Sequence, residues 1–481
     1  MGSNHEVSVR LLQLSKEQGL EVKDDRFAKY LDSTIKWSLR DQFHIPTISE
    51  MLGDDVADKG LDGSKQCVYM YGNGLGLQPV DTQRLVNEEL YKWKTKGMLA
   101  HFTGEQPWFT IEDLVIKESG ALVGSHDPTL EVAIMNGVTA NLHLGMVAFY
   151  RPTTTRHKIL IECDAFPTQH YVAESQIKLH GYNPADSLVV VSPRKDEYTL
   201  RTEDILAKIN QEGDSIALVL FSGVQYLTGQ FFDIAAITET AHSKGCCVGI
   251  DLAHAIGNVE LHLTDWGVDF AGWCNYKYMN GGPGSIGGFF LHKKYAEEFA
   301  LPRLAGWWSH KRETRLEMNN KMELQPGAAG FQLSNPPVLE TVSLLASLNV
   351  FKQTSITELR RKSVLLTGYL ELLLNSLFQS KVAVSNCNGT NTQPATVEII
   401  TPSDPEQRGC QLSLKLSCPV EEINQKLYQK GVICSTRRPN IMRIAPTPLY
   451  NTFTDVLTFV QELEQAIMLV EPPKFDDNLK K

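Results

Sequence analysis

Four apolar runs, KILIECDAF, SLVVVS, IALVLFS and CCVGIDLA, recur between residues 158 and 253 with helix-patterned chain between them. Each has the length of a strand and little polar alternation, as expected of strands covered on both faces. Repetition of strand and helix in this order predicts an α/β layer with a mostly parallel sheet. SIGGFFLH, from Ser285, supplies a further strand. Of 481 residues, 42% are hydrophobic and only 21% charged, enough apolar chain to bury a sizeable core.

Several broad classes lose support. The net charge of -10 argues weakly against a nucleic-acid partner. No long uncharged apolar run reads as a membrane span, and no basic amphipathic segment reads as a surface anchor. MGSNHEVSVR lacks the apolar core of a signal peptide, and Gly2 is only a weak myristoylation candidate beside Glu6. Nine cysteines, Cys246 and Cys247 among them, form no CxxC pattern or compact disulfide framework. A reducing, cytoplasmic setting is therefore expected.

The first 60 or so residues read as peripheral helices and turns. YGNGLGLQP, Tyr71 to Pro79, follows; its glycines permit a tight backbone path near a ligand, or an ordinary turn. Helical spacing runs from Asp81 to Met98, and a second amphipathic segment is expected around Leu130 to Tyr150. From about Val350 the pattern changes. Helices around Ser355 to Phe378 precede ATVEII, CQLSLKL and GVICSTRRPNIMRIAP, and a final helix is predicted from Thr454 to about Leu469. The charged tail DDNLKK is expected to fray. These changes predict an N-terminal segment, 1–70, that contributes to a small domain, a large α/β domain, 71–345, and a C-terminal α+β small domain, 346–481.

Chemistry concentrates between Val248 and Pro283. Asp251 ends an apolar strand, where open α/β sheets bind ligands, and Lys277 lies in a polar, aromatic turn rich in glycine. A carboxylate beside a pyridine nitrogen stabilises the protonated ring, and a neutral lysine amine bonds an aldehyde cofactor and moves a proton. Asp251 alone would equally serve as a strand-end cap or ion-pair partner. His254 fits a satisfied core histidine or a support for a cofactor face. Ser222 offers a hydroxyl at another strand end, and Thr139 stands at a helix start, where a phosphate would meet backbone donors. Phe166 suits either ring stacking or core packing. Neither GxGxxG after a strand nor GxxxxGK[ST] occurs, and no HExxH or clustered Cys/His set specifies a metal, so none is expected.

From about Phe27 through Val470, the chain closely resembles the kynureninase family, the pyridoxal-phosphate hydrolases of tryptophan catabolism. The matching blocks are YMYGNGLGLQP, HFTGEQPW, MNGVTANLHL, DAFPTQHY, LFSGVQYLTGQ, DLAHAIGNVEL, CNYKYMNGGPG, LAGWWSH, LSNPP and MRIAPTPLYN. The resemblance implies a three-layer, aspartate-aminotransferase-like large domain with a smaller α+β domain, usually in a homodimer with shared active sites.

Residue by residue, the resemblance assigns Lys277 to the covalent bond with pyridoxal 5'-phosphate and Asp251 to its pyridine nitrogen. His254 joins the surrounding cofactor network. Tyr276 becomes a phosphate ligand and a participant in proton transfer, Val138, Thr139 and Ser222 take phosphate-side positions, and Phe166 stacks on the ring. Pro167, Thr168 and Gln169 complete the cofactor turn, with one departure: the family often carries FPSD where this chain has FPTQ, so Gln169 brings no carboxylate charge. Trp307 and Asn335 are implied contacts of cofactor and substrate, some of them crossing the dimer. Arg443 corresponds to the clamp on the amino-acid carboxylate, for which its rigid donor fork is suited. His101, Ser334 and Asn335 are implied beside the aromatic part of the substrate.

The expected reaction is hydrolysis of L-kynurenine or 3-hydroxy-L-kynurenine to anthranilate or 3-hydroxyanthranilate plus L-alanine, serving tryptophan catabolism and NAD biosynthesis. An aminotransferase would share much of the same machinery. A cysteine desulfurase would need a placed nucleophilic thiol, yet Cys410 and Cys434 lie in strand-like contexts. An inactive scaffold would not require the lysine, acid and arginine together.

Overall fold

The computed structural model describes residues 4–35, 37–53, 61–378 and 396–470. Gly2, Ala395 of the ATVEII run and the DDNLKK tail lie outside the described residues. The chain divides into two compact units. The larger comprises Leu75–Tyr226 and Gln230–Thr357; the smaller comprises Met1–Gly74, Leu227–Gly229 and Glu358–Lys481.

The larger unit is built on a seven-stranded sheet. Its strands are β1 (Val132–Ile134), β2 (Lys158–Glu162), β3 (Leu188–Val191), β4 (Ile216–Ser222), β5 (Cys247–Asp251), β6 (Phe270–Cys274) and β7 (Gly287–Leu291). Their order across the sheet is β1-β7-β6-β5-β4-β2-β3. β7 runs antiparallel to both neighbours, whereas the pairs from β6 to β3 are parallel. Every residue of β4 is buried, which requires cover on both faces and explains its unbroken apolar run. Helices Val138–Phe149, Pro167–Leu179 and Ile234–Ser243 pack against the sheet strands.

Close packing explains two glycines of this unit. A Cβ on Gly145 or Gly249 would stand 2.2 or 2.3 Å from the buried Phe270 ring, so the aromatic takes the space those residues vacate.

The amphipathic helix expected over Leu130 to Tyr150 is corrected. The short helix Pro128–Glu131 ends there, Val132–Ile134 is strand β1, and a separate helix, Val138–Phe149, follows with seven buried residues, including Asn141 and Phe149. Three apolar residues are too few for periodicity to separate a strand from a buried helix; pairing with β7 decides it.

In the smaller unit, β8 (Val397–Ile399), β9 (Leu412–Leu416), β10 (Ser435–Arg437) and β11 (Ile441–Ile444) form an antiparallel sheet in the order β8-β9-β11-β10. Helices Ile356–Phe378, Val420–Tyr428 and Phe453–Met468 contribute apolar faces to its core. The last helix is stopped from fraying at its start by a reciprocal cap, Thr452 accepting from the Asp455 amide and Asp455 from the Thr452 amide. The N-terminal helices Asn4–Gln18 and Asp25–Thr34 are not peripheral. Leu11, Phe27 and Leu31 are buried in the same core as Leu414 and Phe459, because their apolar stripes meet partners from the distant C-terminal chain. No helix among the described residues is long and apolar enough to cross a membrane.

Candidate active site

Three strands deliver polar side chains at their C-terminal ends: Glu162 on β2, Ser222 on β4 and Asp251 on β5. Ser222 and Asp251 are direct ladder partners. The chain runs from β2 outward to the edge strand β3, then returns to β4 on the other side of β2. Reversal of this kind opens a crevice beyond the strand ends.

Asp251 is buried, and its carboxylate accepts the Ala253 amide at 2.9 Å. Burial pushes its pKa up, opposed by that amide and by the charge of Lys277. A cation set against this carboxylate would relieve the burial cost. His254 is also buried, and its ring stands 6.5 Å from that of Tyr226 and 6.4 Å from that of Tyr278.

Lys277 follows β6 in a turn held by backbone bonds. Its carbonyl accepts from Asn280 at 2.9 Å, and the Asn275 carbonyl accepts from Gly281 at 2.7 Å. Asn280 adopts φ 51, a left-handed conformation that asparagine tolerates. The Asn275 side chain donates to Ile286 and accepts from the indole of Trp273. The Lys277 ammonium nitrogen lies 5.9 Å from the Phe166 ring centre and 5.8 Å from that of Tyr276. The Tyr276 hydroxyl and the Cys274 thiol influence one another's ionisation, and burial raises the pKa of both groups.

Phe166 precedes helix Pro167–Leu179, whose first residue is proline, a position where the missing amide hydrogen costs nothing. Its ring is 40% exposed and meets Tyr226 edge-on at 5.1 Å. Pro167 is exposed and Thr168 half-buried. Gln169, one turn inward, is fully buried. With its amide nitrogen turned toward Glu162, Gln169 donates to Glu162 and Ser222, each at 3.2 Å, and accepts the Ser222 amide at 3.2 Å. The Ser222 hydroxyl donates to Glu162 at 2.5 Å, and its amide reaches the same carboxylate at 3.3 Å. Burial pushes the Glu162 pKa up to about 7; the Ser222 donors oppose this and Asp251 adds to it.

Helix Val138–Phe149 begins after Gly137, which has no side chain to cap the first turn. A Cβ on Gly137 would meet nothing within 4 Å, and Thr139 is exposed, so this helix end faces open space. Other predicted site residues of the larger unit have contacts within their own segments. Trp307 is 47% exposed and donates to the Arg315 carbonyl at 3.0 Å. His101 stands edge-on to Trp108 at 5.1 Å, with its Nδ1 3.2 Å from the Met98 carbonyl. Ser334 and Asn335 are exposed just before helix Val338–Phe351. Arg443 belongs to the smaller unit, where it is buried on β11 and donates through Nε and Nη2 to the Ser435 hydroxyl.

The geometry therefore gathers Phe166, Gln169, Ser222, Asp251, Tyr276 and Lys277, and adds two residues that sequence reasoning missed. Glu162 is one; its signal was a charged residue ending an otherwise apolar strand. Cys274 is the other, and nothing in its local sequence distinguished it from a core thiol. Among the described residues, no group of three His, Cys, Asp or Glu is gathered as a metal site would require.

Residues 136–407 match the aminotransferase class-V family model, which together with the kynureninase relatives shows a pyridoxal-phosphate-dependent enzyme. Solved structures agree on the fold: the cysteine desulfurase CsdA of Escherichia coli superposes with a TM-score of 0.67 at 15% identity, covering 90% of this chain and 98% of that one. Residues 359–463 match the kynureninase C-terminal domain. A kynureninase of Nematostella vectensis is 48% identical over 463 residues, 96% of this chain and 98% of its own length; one of Homo sapiens is 47% identical over 456 residues, 95% and 96% respectively. The chain belongs to the kynureninase family, pyridoxal-phosphate-dependent hydrolases that act on a carbon–carbon bond.

Proposed function

We propose that this chain hydrolyses the β,γ carbon–carbon bond of L-kynurenine and 3-hydroxy-L-kynurenine, releasing anthranilate or 3-hydroxyanthranilate and L-alanine for tryptophan catabolism and NAD biosynthesis. The observation that carries this reading is near-full-length identity to kynureninases combined with Lys277 and buried Asp251 at one sheet edge.

The donor set fits pyridoxal phosphate. Asp251 is a buried anion for the pyridinium nitrogen, the uncapped helix start at Val138 and Thr139 suits a phosphate, and the exposed Phe166 suits a ring face. Lys277 is the residue for covalent attachment, with His254, Pro167, Thr168, Trp307 and Asn335 around the same group. Bound there, the cofactor supplies an electron sink for the pair released at the substrate Cα.

Lys277 is the group that would take the Cα proton once the cofactor and substrate are bound. Water adds to the γ-carbonyl of the substrate, and collapse of the hydrated ketone cuts the β,γ bond. Tyr276 keeps its phenolic proton because burial raises its pKa, which suits it to donate rather than accept. By the family resemblance, Arg443 is assigned to the substrate carboxylate and His101, Ser334 and Asn335 to its aromatic part.

A cytoplasmic homodimer with shared sites completes the reading. Trp93, Met98, Leu99, Phe102 and Trp307 are large apolar side chains left exposed in this chain, a load that subunit association would cover. Desulfurase chemistry is disfavoured, since Cys410 and Cys434 are buried and burial pushes the Cys434 thiol up to about 12.

Product identification after reconstitution with pyridoxal phosphate tests the proposal. An aromatic amino acid plus L-alanine from either kynurenine is expected; transfer of the amino group to a keto acid with the carbon skeleton intact would refute it.

A further inference from the structure

We infer that Glu162 is a positioning residue of this site, the buried acceptor that joins Ser222 and Gln169 into one unit beside Asp251 and supplies the carboxylate that position 169 lacks. The inference rests on the proposed function and assigns a role to a residue outside the expected set.

All three side chains are buried, and their polar atoms turn toward one another. The Ser222 hydroxyl hydrogen goes to Glu162 at 2.5 Å, and the Ser222 amide points the same way. Ser222 is therefore left only with acceptor capacity, part of it already taken by the Gln169 amide. A phosphate brings only negative oxygen, so an accepting hydroxyl backed by a carboxylate would repel it. The ladder pairing of Ser222 with Asp251 places it instead at the end of the sheet edge where a pyridinium ring would sit. Its role shifts from the phosphate side to the ring side.

Gln169 makes this arrangement compatible with a charged Glu162. Its amide nitrogen donates to the carboxylate at 3.2 Å. A second carboxylate at that distance would force the two acids to share one proton. With the amide in place, Glu162 competes with no acid on the helix that carries Gln169. The groups facing it are Asp251, a titratable neighbour two strands away, the Ser222 hydroxyl and the Gln169 amide; across the ladder on β3 it meets only Val191. A cationic ring neutralising Asp251 would remove the repulsion that Glu162 feels, so cofactor binding favours its ionised form.

The test uses full-length protein and pyridoxal phosphate itself. Affinity is read by titration, and the visible absorbance band of the bound cofactor is followed against pH. Glu162→Gln should weaken binding about tenfold and lower the midpoint of the absorbance titration by at least about half a pH unit, because a negative charge near the cationic form is lost. Glu162→Asp should recover most of that midpoint. Glu162→Gln combined with Ser222→Ala should shift it little more than either alone, since Glu162 acts through Ser222. Midpoint and affinity unchanged in Glu162→Gln, or fully additive shifts, would overturn the inference. Should the Glu162 variants not fold, Ser222→Ala decides alone: a lowered midpoint supports the relay and an unchanged one refutes it. Parent protein that binds no pyridoxal phosphate would sink the functional reading along with this one, whereas normal binding and products with a silent Glu162→Gln sink only this one.

Discussion

The carbonyl oxygen of Lys277 lies 2.3 Å from the point where a Cβ on Gly76 would stand, and the Gly76 amide donates to the neighbouring Tyr276 carbonyl at 2.8 Å. Glycine in the YGNGLGLQP segment is thus required by close approach to the backbone of the lysine turn. Gly76→Ala should cost about 1–3 kcal/mol through overpacking and displace Lys277. A lowered melting temperature together with a weakened cofactor absorbance is the expected pair of readings; a variant matching the parent in both would show that the turn yields freely.

Asp251→Asn removes the charge but keeps the shape. Breaking a buried, paired charge typically costs about 3–5 kcal/mol, equivalent to roughly 10²- to 10³-fold or more in affinity. Titration with pyridoxal phosphate should therefore show a large loss of binding. A loss below tenfold would mean that this carboxylate caps Ala253 and does little else.

Arg443→Lys keeps a positive charge and loses the planar fork. Charge-assisted hydrogen bonds contribute about 1.5–3 kcal/mol, so kcat/KM for kynurenine should fall by about tenfold to 150-fold. The change should fall mainly on KM, with cofactor affinity near that of the parent. Equal losses in cofactor and substrate binding would instead point to a folding role on β11.

Glu162 also predicts a pH dependence of stability in cofactor-free protein. Its pKa rises from 4.5 to about 7 on folding, so between those values the folded chain binds more protons than the unfolded one. Its contribution to stability must then decline as pH climbs through that window and level off above about 7, by about 3 kcal/mol at most. Melting curves of the parent and Glu162→Gln, compared from pH 4.5 to 8, should diverge in that sense. Parallel curves would argue against the raised pKa.

Much of the larger unit is legible locally. KILIE, IALVLFS and CVGID are strands because buried parallel strands need continuous apolar runs, and a carboxylate ending CVGID stands out against them; LVVV is equally apolar but lies at the sheet edge with only Val191 buried. Leu130 to Tyr150 misleads for the opposite reason: VAI is three residues long, and the helix after it is apolar on most sides. The N-terminal helices mislead because the core that receives Phe27 is assembled from chain more than 300 residues away, such as Phe453 and Tyr369.

Asp251 and Lys277 stand out from sequence as a complementary pair, whereas Phe166 suits core packing as well as stacking and Arg443 is singled out only by the family resemblance. The triad of Glu162, Gln169 and Ser222 is different. Glu162 and Ser222 are separated by 60 residues, and they meet only because β2 and β4 pair side by side while β3 lies outside them. A continuous apolar run of strand length marks each segment as a strand; strand order and register, which depend on packing of the whole sheet, decide which side chains share its edge and where the Ser222 proton goes.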